Sequence, residues 1–213
     1  CYALQEINIP AGLTEISHGM FMGCKGLEKV TFLGPVTSIG ESAFYDTKSL
    51  KHIDLPESLT HLGKNAFALF FRDGEVQSGG LEEITIPASV NKIEDSTFSG
   101  CCDLKSVSFL GQVTSIGDYA FSGATSLQDI NLPESVCTIG KSAFSRTNLQ
   151  KIRLPKACSE IKNEAFALSA LKAFEIDPEN PFFQAGDDGV LYSRDGKRLV
   201  LYPYCLLYTS PSP

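Results

Sequence analysis

Apolar residues along this chain fall into columns that recur about every 23 positions. Phenylalanines stand at Phe21, Phe44, Phe67, Phe98, Phe121, Phe144 and Phe166, at steps of 23, 23, 31, 23, 23 and 22. Five residues before each lies an aliphatic: Ile16, Ile39, Leu62, Ile93, Ile116, Ile139 and Ile161. Three before that the column is mostly Leu or Val: Leu13, Val36, Leu59, Val90, Val113, Val136, then Cys158. Between the phenylalanines runs a segment such as Leu127-Gln-Asp-Ile130-Asn-Leu132-Pro133, with eight copies opening at Leu4, Leu27, Leu50, Leu81, Leu104, Leu127, Leu149 and Leu171. In the copies at Leu27 and Leu104, Leu-Gly replaces the proline.

The spacing predicts the local structure. Ile130 and Leu132 are two apart, so a strand would point both to one side. The proline that follows ends the strand and removes a donor. Gly40, Gly63, Gly117 and Gly140 follow the aliphatic column and predict a bend. The Ser-Ala-Phe type stretch then fits a single helical turn. One such unit cannot bury its apolar face alone, but stacked units can. The expected fold is an α/β, mostly β, right-handed solenoid of ~23-residue repeats, with eight strand rungs over residues 1–177.

The pattern Leu-x-x-Ile-x-Leu-Pro, Val-Thr-x-Ile-Gly, Ala-Phe, as in "LQDINLPESVCTIGKSAFSRTN", resembles the BspA-like (treponemal-type) leucine-rich repeat family. The resemblance covers about residues 1–177. It implies a curved leucine-rich-repeat solenoid with the long strands on its concave face. It also implies a surface or secreted protein that binds proteins, in adhesion to host or matrix proteins or to other cells. The segment from Asn180 to Pro203 resembles a module found between or after such repeats.

The ends depart from the repeat. Cys1 stands three before Leu4, in the column of Cys24 and Cys101, so the chain opens inside a repeat and is expected to be part of a longer protein. Val190-Leu191-Tyr192 and Leu199-Val200-Leu201-Tyr202 flank Ser193 to Lys197, which predicts a β-hairpin with Asp195-Gly196 at its tip. That hairpin, within residues 178–204, would cap the last rung or lie between repeats. Residues 205–213, "CLLYTSPSP", fit no column and resemble translated adapter sequence. An insertion near residues 68–80, "ALFFRDGEVQSGG", reads as a loop.

Composition removes several functions. Lys+Arg 18 against Asp+Glu 25 gives 18 − 25 = −7, which disfavours a nucleic-acid backbone as partner. No apolar run is long enough for a membrane span. The three histidines, His18, His52 and His61, form no His-Glu-x-x-His, and no nucleophile motif, phosphate loop or Cys-x-x-Cys occurs. The acidic loop Asp187-Asp188-Gly189 lacks the spacing of a calcium loop. No cofactor, metal or catalytic residue is expected. Of the seven cysteines, Cys1, Cys24 and Cys101 share a column with Thr47, Ala124, Thr147 and Ser169, which points to small semi-buried residues. Cys137 and Cys158 are placed in the Val column of neighbouring rungs. Cys1–Cys24 and Cys137–Cys158 would lie within disulfide range, but stacked identical positions aim their Cβ atoms poorly, and either bridge stays open.

The candidate binding surface is the outward side of the long strands. Its two columns, from Glu6 to Ala173 and from Asn8 to Glu175, are polar, mixed in sign and free of aromatics. Lys29, His52, Asp54, Glu83, Thr85, Asp129 and Arg153 are the candidate partner-binding residues there, with Phe70, Phe71 and Arg72 in the insertion as a separate aromatic contact. The competing reading is a solvated sheet face, with Phe70 and Phe71 tucked over the core. Three roles follow: a non-enzymatic protein-binding module, a structural spacer, or an accessory region of a larger enzyme.

Overall fold

The computed structural model describes residues 3–70, 78–187 and 189–202. In chain order its strands are β1 (Glu6–Ile9), β2 (Glu15–Ile16), β3 (Lys29–Phe32), β4 (Ser38–Ile39), β5 (His61–Leu62), β6 (Glu83–Ile86), β7 (Lys92–Ile93), β8 (Ser106–Phe109), β9 (Ser115–Ile116), β10 (Thr138–Ile139), β11 (Lys151–Leu154), β12 (Glu160–Ile161), β13 (Ala173–Ile176), β14 (Phe183–Ala185), β15 (Leu191–Ser193) and β16 (Leu199–Leu201). Up to β13 every pairing is parallel and joins like columns, for example Ile7 to Val30 and Ile84 to Val107. The chain is a β-solenoid whose successive turns stack in register.

The stacked apolar columns form one core. The phenylalanines make a continuous stack from Phe21 to Phe166, with ring centroids 5.2–5.8 Å apart and planes within 16° of parallel. Leu27, Leu50, Leu104, Leu127, Leu149 and Leu171 are fully buried beside it. The small column of Thr47, Thr147 and Ser169 is buried as well. Each hydroxyl donates to the carbonyl three residues back, on Phe44, Phe144 and Phe166, at 2.6–2.8 Å. A short hydroxyl-bearing side chain therefore closes the turn without displacing the stack.

The expected helical turn is absent: no helix occurs among the described residues. Ser42, Asp46, Asn65, Ser96, Tyr119 and Ser142 are among the residues that take positive φ, between 51° and 59°, which interrupts right-handed coiling. Ser42, Phe44 and Asp46 donate across to Lys64, Ala66 and Ala68 of the next rung at 2.8 Å, while Ala43, Tyr45 and Thr47 donate three residues back to Gly40, Ser42 and Phe44. Each left-handed residue costs roughly 1–2 kcal/mol, offset here by an inter-rung bond that a helix would forfeit. The result is a third ladder, made of turns.

The long-strand ladder is discontinuous. β1 pairs with β3, β6 with β8 and β11 with β13, but the rungs at Leu50 and Leu127 join no ladder. They keep the core column, Ile53 and Ile130 being buried, so six of the eight expected long strands pair among the described residues. Both carry Asp or Asn after the inward isoleucine, residue types that strands disfavour. Asn8 in β1 shows that this alone does not suffice. The breaks also follow the two Leu-Gly rungs. A Cβ on Gly34 would lie 2.3 Å from the Ala11 carbonyl oxygen, and one on Gly111 would lie 2.1 Å from that of Ala88. Leu33 and Leu110 donate back to Ile9 and Ile86, both at 3.0 Å. Each Leu-Gly thus pulls its rung tightly onto the one before. Gly111→Ala should push β8 away from β6 and cost about 1–3 kcal/mol, read by urea unfolding; an unchanged midpoint would mean that the approach is not close.

Between the rungs at Leu50 and Leu81 the short-strand ladder also stops: β2, β4 and β5 form one sheet, and β7, β9, β10 and β12 another. The insertion lies at this seam. Only the turn ladder crosses it intact, through Asn65 to Asp95, Phe67 to Thr97 and Leu69 to Ser99. The seam also has the widest ring spacing of the stack, 5.8 Å between Phe67 and Phe98.

The hairpin forms from β15 and β16, with Gly196 at positive φ in its turn. A third strand, β14, pairs antiparallel with β15. The expectation for residues 205–213 lies outside the described residues. Gly117 and Gly140 do not take positive φ; a Cβ on Gly140 would meet the Gly117 carbonyl carbon at 2.5 Å, so close approach, not a bend, requires glycine.

Cys137 corrects the column assignment. Thr138 pairs with Glu160, so Val136, not Cys137, stacks on Cys158. Cys137 is exposed, Cys158 is buried, and both are free thiols, as is Cys24; Cys1 lies outside the described residues. Burial pushes the Cys101 and Cys158 thiols up to about 12. A thiol reagent at pH 8 should label Cys137 in the folded protein and leave Cys101 and Cys158 untouched until denaturant is added, as peptide mass spectrometry would show. Rapid labelling of Cys158 in the native state would contradict its burial.

Candidate interaction face

Alternation in the long strands turns one side chain in two outward. Lys29, Glu83, Thr85 and Arg153 are exposed on β3, β6 and β11, and His52, Asp54 and Asp129 are exposed on the two unladdered rungs. The break at Leu50 gathers part of this set. A groove of about 670 Å³ runs between its rung and β6, bordered by His52, Asp54, Glu57, Glu83, Thr85, Ser108 and Leu110. A second, of about 750 Å³, lies on the other side against β3, bordered by Glu6, Glu28, Lys29, Thr31, His52 and Asp54. The backbone of His52 to Leu55 separates the two, and none of its N–H or C=O groups has a backbone partner among the described residues.

One side-chain contact spans the first groove: His52 Nδ1 lies 3.4 Å from Glu83 Oε1, with the two side chains 63% and 67% exposed. So exposed a pair contributes little to holding the rungs together. Asp129 and Arg153 lie away from both grooves. Arg153 is held by Glu134 and by Asp177, the latter at 2.5 Å. Lys151 pairs with Glu175 at 3.0 Å on the same face. Phe70 is 48% exposed at the edge of the insertion, beyond the buried Ala68 and Leu69. Phe71 and Arg72 lie outside the described residues. Glu57, past the proline and outside both outward columns, was not among the sequence candidates; only the break that opens the groove brings it to the site. Among the described residues no group of three His, Cys, Asp or Glu side chains is placed to hold a metal, and no helix is long and apolar enough to cross a membrane.

Residues 1–71 and 76–185 match the BspA type leucine rich repeat region in six copies. The chain belongs to this family. The match is interrupted at the insertion, where both strand ladders stop. Solved structures share the fold. A leucine-rich repeat protein from Bacteroides ovatus is 25% identical with a TM-score of 0.60, over 81% of this chain and 51% of its own. A leucine-rich cell surface protein from Faecalibacterium prausnitzii is 29% identical with a TM-score of 0.50, over 82% and 54%. The pneumococcal vaccine antigen PcpA, 23% identical with a TM-score of 0.51 over 85% and 53%, shares the fold. The chain spans about half the length of these proteins. No curated protein matches it.

Proposed function

We propose that this BspA-type repeat region is a non-enzymatic protein-binding module of a cell-surface or secreted protein, and that its partner docks on the outward face of the long strands around the rung at Leu50. The observation that carries this reading is the pair of grooves flanking that rung, where the ladder is open and the lining mixes carboxylates, hydroxyls and aliphatic carbon. A fully laddered sheet would offer a flat polar surface; a break gives a partner depth. The cell-surface relative supports the location, and adhesion to a host or extracellular-matrix protein, or to another cell surface, is the role that suits such a location.

The combined variant His52→Ala, Asp54→Ala, Glu83→Ala, Thr85→Ala tests it. All four side chains are exposed, so folding should be unaffected. Retention on immobilised extracellular-matrix proteins and on whole cells should fall at least tenfold against wild type. Equal retention would place the site elsewhere. Wild type that is retained by none of them would favour the role of a spacer holding other domains apart.

A further inference from the structure

We propose that Lys51 and Asp103 form an electrostatic clasp that holds the long-strand side of the seam closed and so sets the width of the groove beside it. The clasp itself does not depend on a partner docking there; only its bearing on binding rests on the outward face being the binding surface.

The pair is set apart by its reach. Inter-rung ion pairs on this chain mostly join neighbouring rungs, as Lys105 does with Glu82 and Lys156 with Glu179. Lys51, next to Leu50, passes over the rung that opens at Leu81 and meets Asp103, next to Leu104, at 2.5 Å. The rung between passes this point as Gly79-Gly80, with no side chain to stand in the way. Gly79, at φ 132°, donates its amide to the same Asp103 Oδ2 at 3.0 Å. One carboxylate oxygen therefore ties the rungs at Leu50, Leu81 and Leu104 together through two hydrogen bonds that its charge strengthens.

Position makes the pair a clasp. Two backbone bonds join the rungs on the long-strand side of the seam, from the Gly80 amide to the Lys48 carbonyl and from the Glu82 amide to the Lys51 carbonyl, both at 2.9 Å. Both lie in the stretch that the pair closes. From His52 and Glu83 onward no backbone bond joins these two rungs among the described residues, and there the groove begins. Two other ion pairs cross the seam. His52 with Glu83 is long and exposed, and Lys64 with Asp95, on the short-strand and turn side, has side chains 52% and 40% exposed. Pairs so exposed contribute little. Lys51 and Asp103 are 35% and 29% exposed and share an amide besides. Without them the two backbone bonds stand alone, and that stretch opens more readily while the turn ladder keeps the rungs in place.

Amide hydrogen exchange on the full chain tests this. In Asp103→Asn, which keeps the shape and an acceptor, Gly80 and Glu82 should exchange at least tenfold faster than in wild type. Phe67 and Leu69, whose amides cross the seam on the turn side, should stay within twofold. Lys51→Met should act as Asp103→Asn does, and the double variant should go no further than either alone, because both remove one interaction. Lys151→Met, which breaks the pair with Glu175 away from the seam, should leave all four amides within twofold. No acceleration at Gly80 and Glu82 would overturn the clasp, and so would equal acceleration at Phe67 and Leu69, which means general loosening. Retention of Asp103→Asn on the same matrix proteins and cells should differ from wild type at least threefold. Faster exchange with unchanged retention would leave the clasp standing and take the groove out of the binding face.

Discussion

Phe121→Ala is expected to lower the unfolding free energy by about 3–5 kcal/mol, the range for truncating a buried aromatic. Phe121 is fully buried, and its ring lies 5.4 Å from both Phe98 and Phe144. Truncation removes one ring and deprives two others of a face each. The cavity cannot close easily, because the rungs on either side are pinned by inter-rung bonds from Ser96 to Asp118 and from Tyr119 to Lys141. Phe21, with one stacking partner and 8% exposure, should cost less. Urea unfolding of the two variants measures both. A cost near zero at Phe121, or a larger one at Phe21, would mean that stacking between rungs is not what holds the repeat together.

Asn180→Ala is expected to release the C-terminal sheet from the last rungs at a cost of about 2–4 kcal/mol, since each orphaned buried group costs about 1–3 kcal/mol. Asn180 is 1% exposed. Its Nδ2 donates to the carbonyls of Pro155 and Cys158 at 2.8 and 2.9 Å, and its Oδ1 accepts from the Phe182 and Phe183 amides at 2.8 and 2.9 Å. One side chain thus satisfies four backbone groups on two segments of chain. Asn180→Asp keeps the acceptors and loses the donors, so it should also destabilise. Hydrogen exchange across β14 to β16 should accelerate in both variants while β7 to β10 stays protected. Unchanged protection in β14 would show that the sheet is held by its apolar contacts alone.

The repeat was legible because burial is periodic. Leu, Ile and Phe columns at fixed offsets state which side chains face inward, and in-register stacking follows from that. The turn ladder was not legible, since a Ser-Ala-Phe stretch suits a helical turn equally well. What decides is whether its amides bond to their own chain or to the next rung, and no side chain records that choice. Asn180 stands outside every column, and a lone asparagine before a proline gives no sign of four bonds. The outward columns could be read off, but they are polar on every rung. What separates His52 and Asp54 from Arg153 is which rungs pair, and that depends on Gly34 and Gly111 as much as on the strands; Asp129, on the other unladdered rung, borders neither groove. The extra 8 residues between Phe67 and Leu81 were plain in the spacing; that both strand ladders stop there was not.

That seam makes the solenoid mechanically uneven. On either side of it, rungs are tied by strand ladders as well as by turns; across it, the turn ladder is continuous, like the spine of a book, while the long-strand side keeps only isolated backbone bonds, from Gly80 to Lys48 and from Glu82 to Lys51. Bending or tension along the axis will concentrate there, with the spine as hinge line and the long-strand side as the edge that opens. The dimension that changes most is the width between Asp54 and Thr85, beyond the last of those bonds, so strain along the axis would be felt first at the groove that opens there.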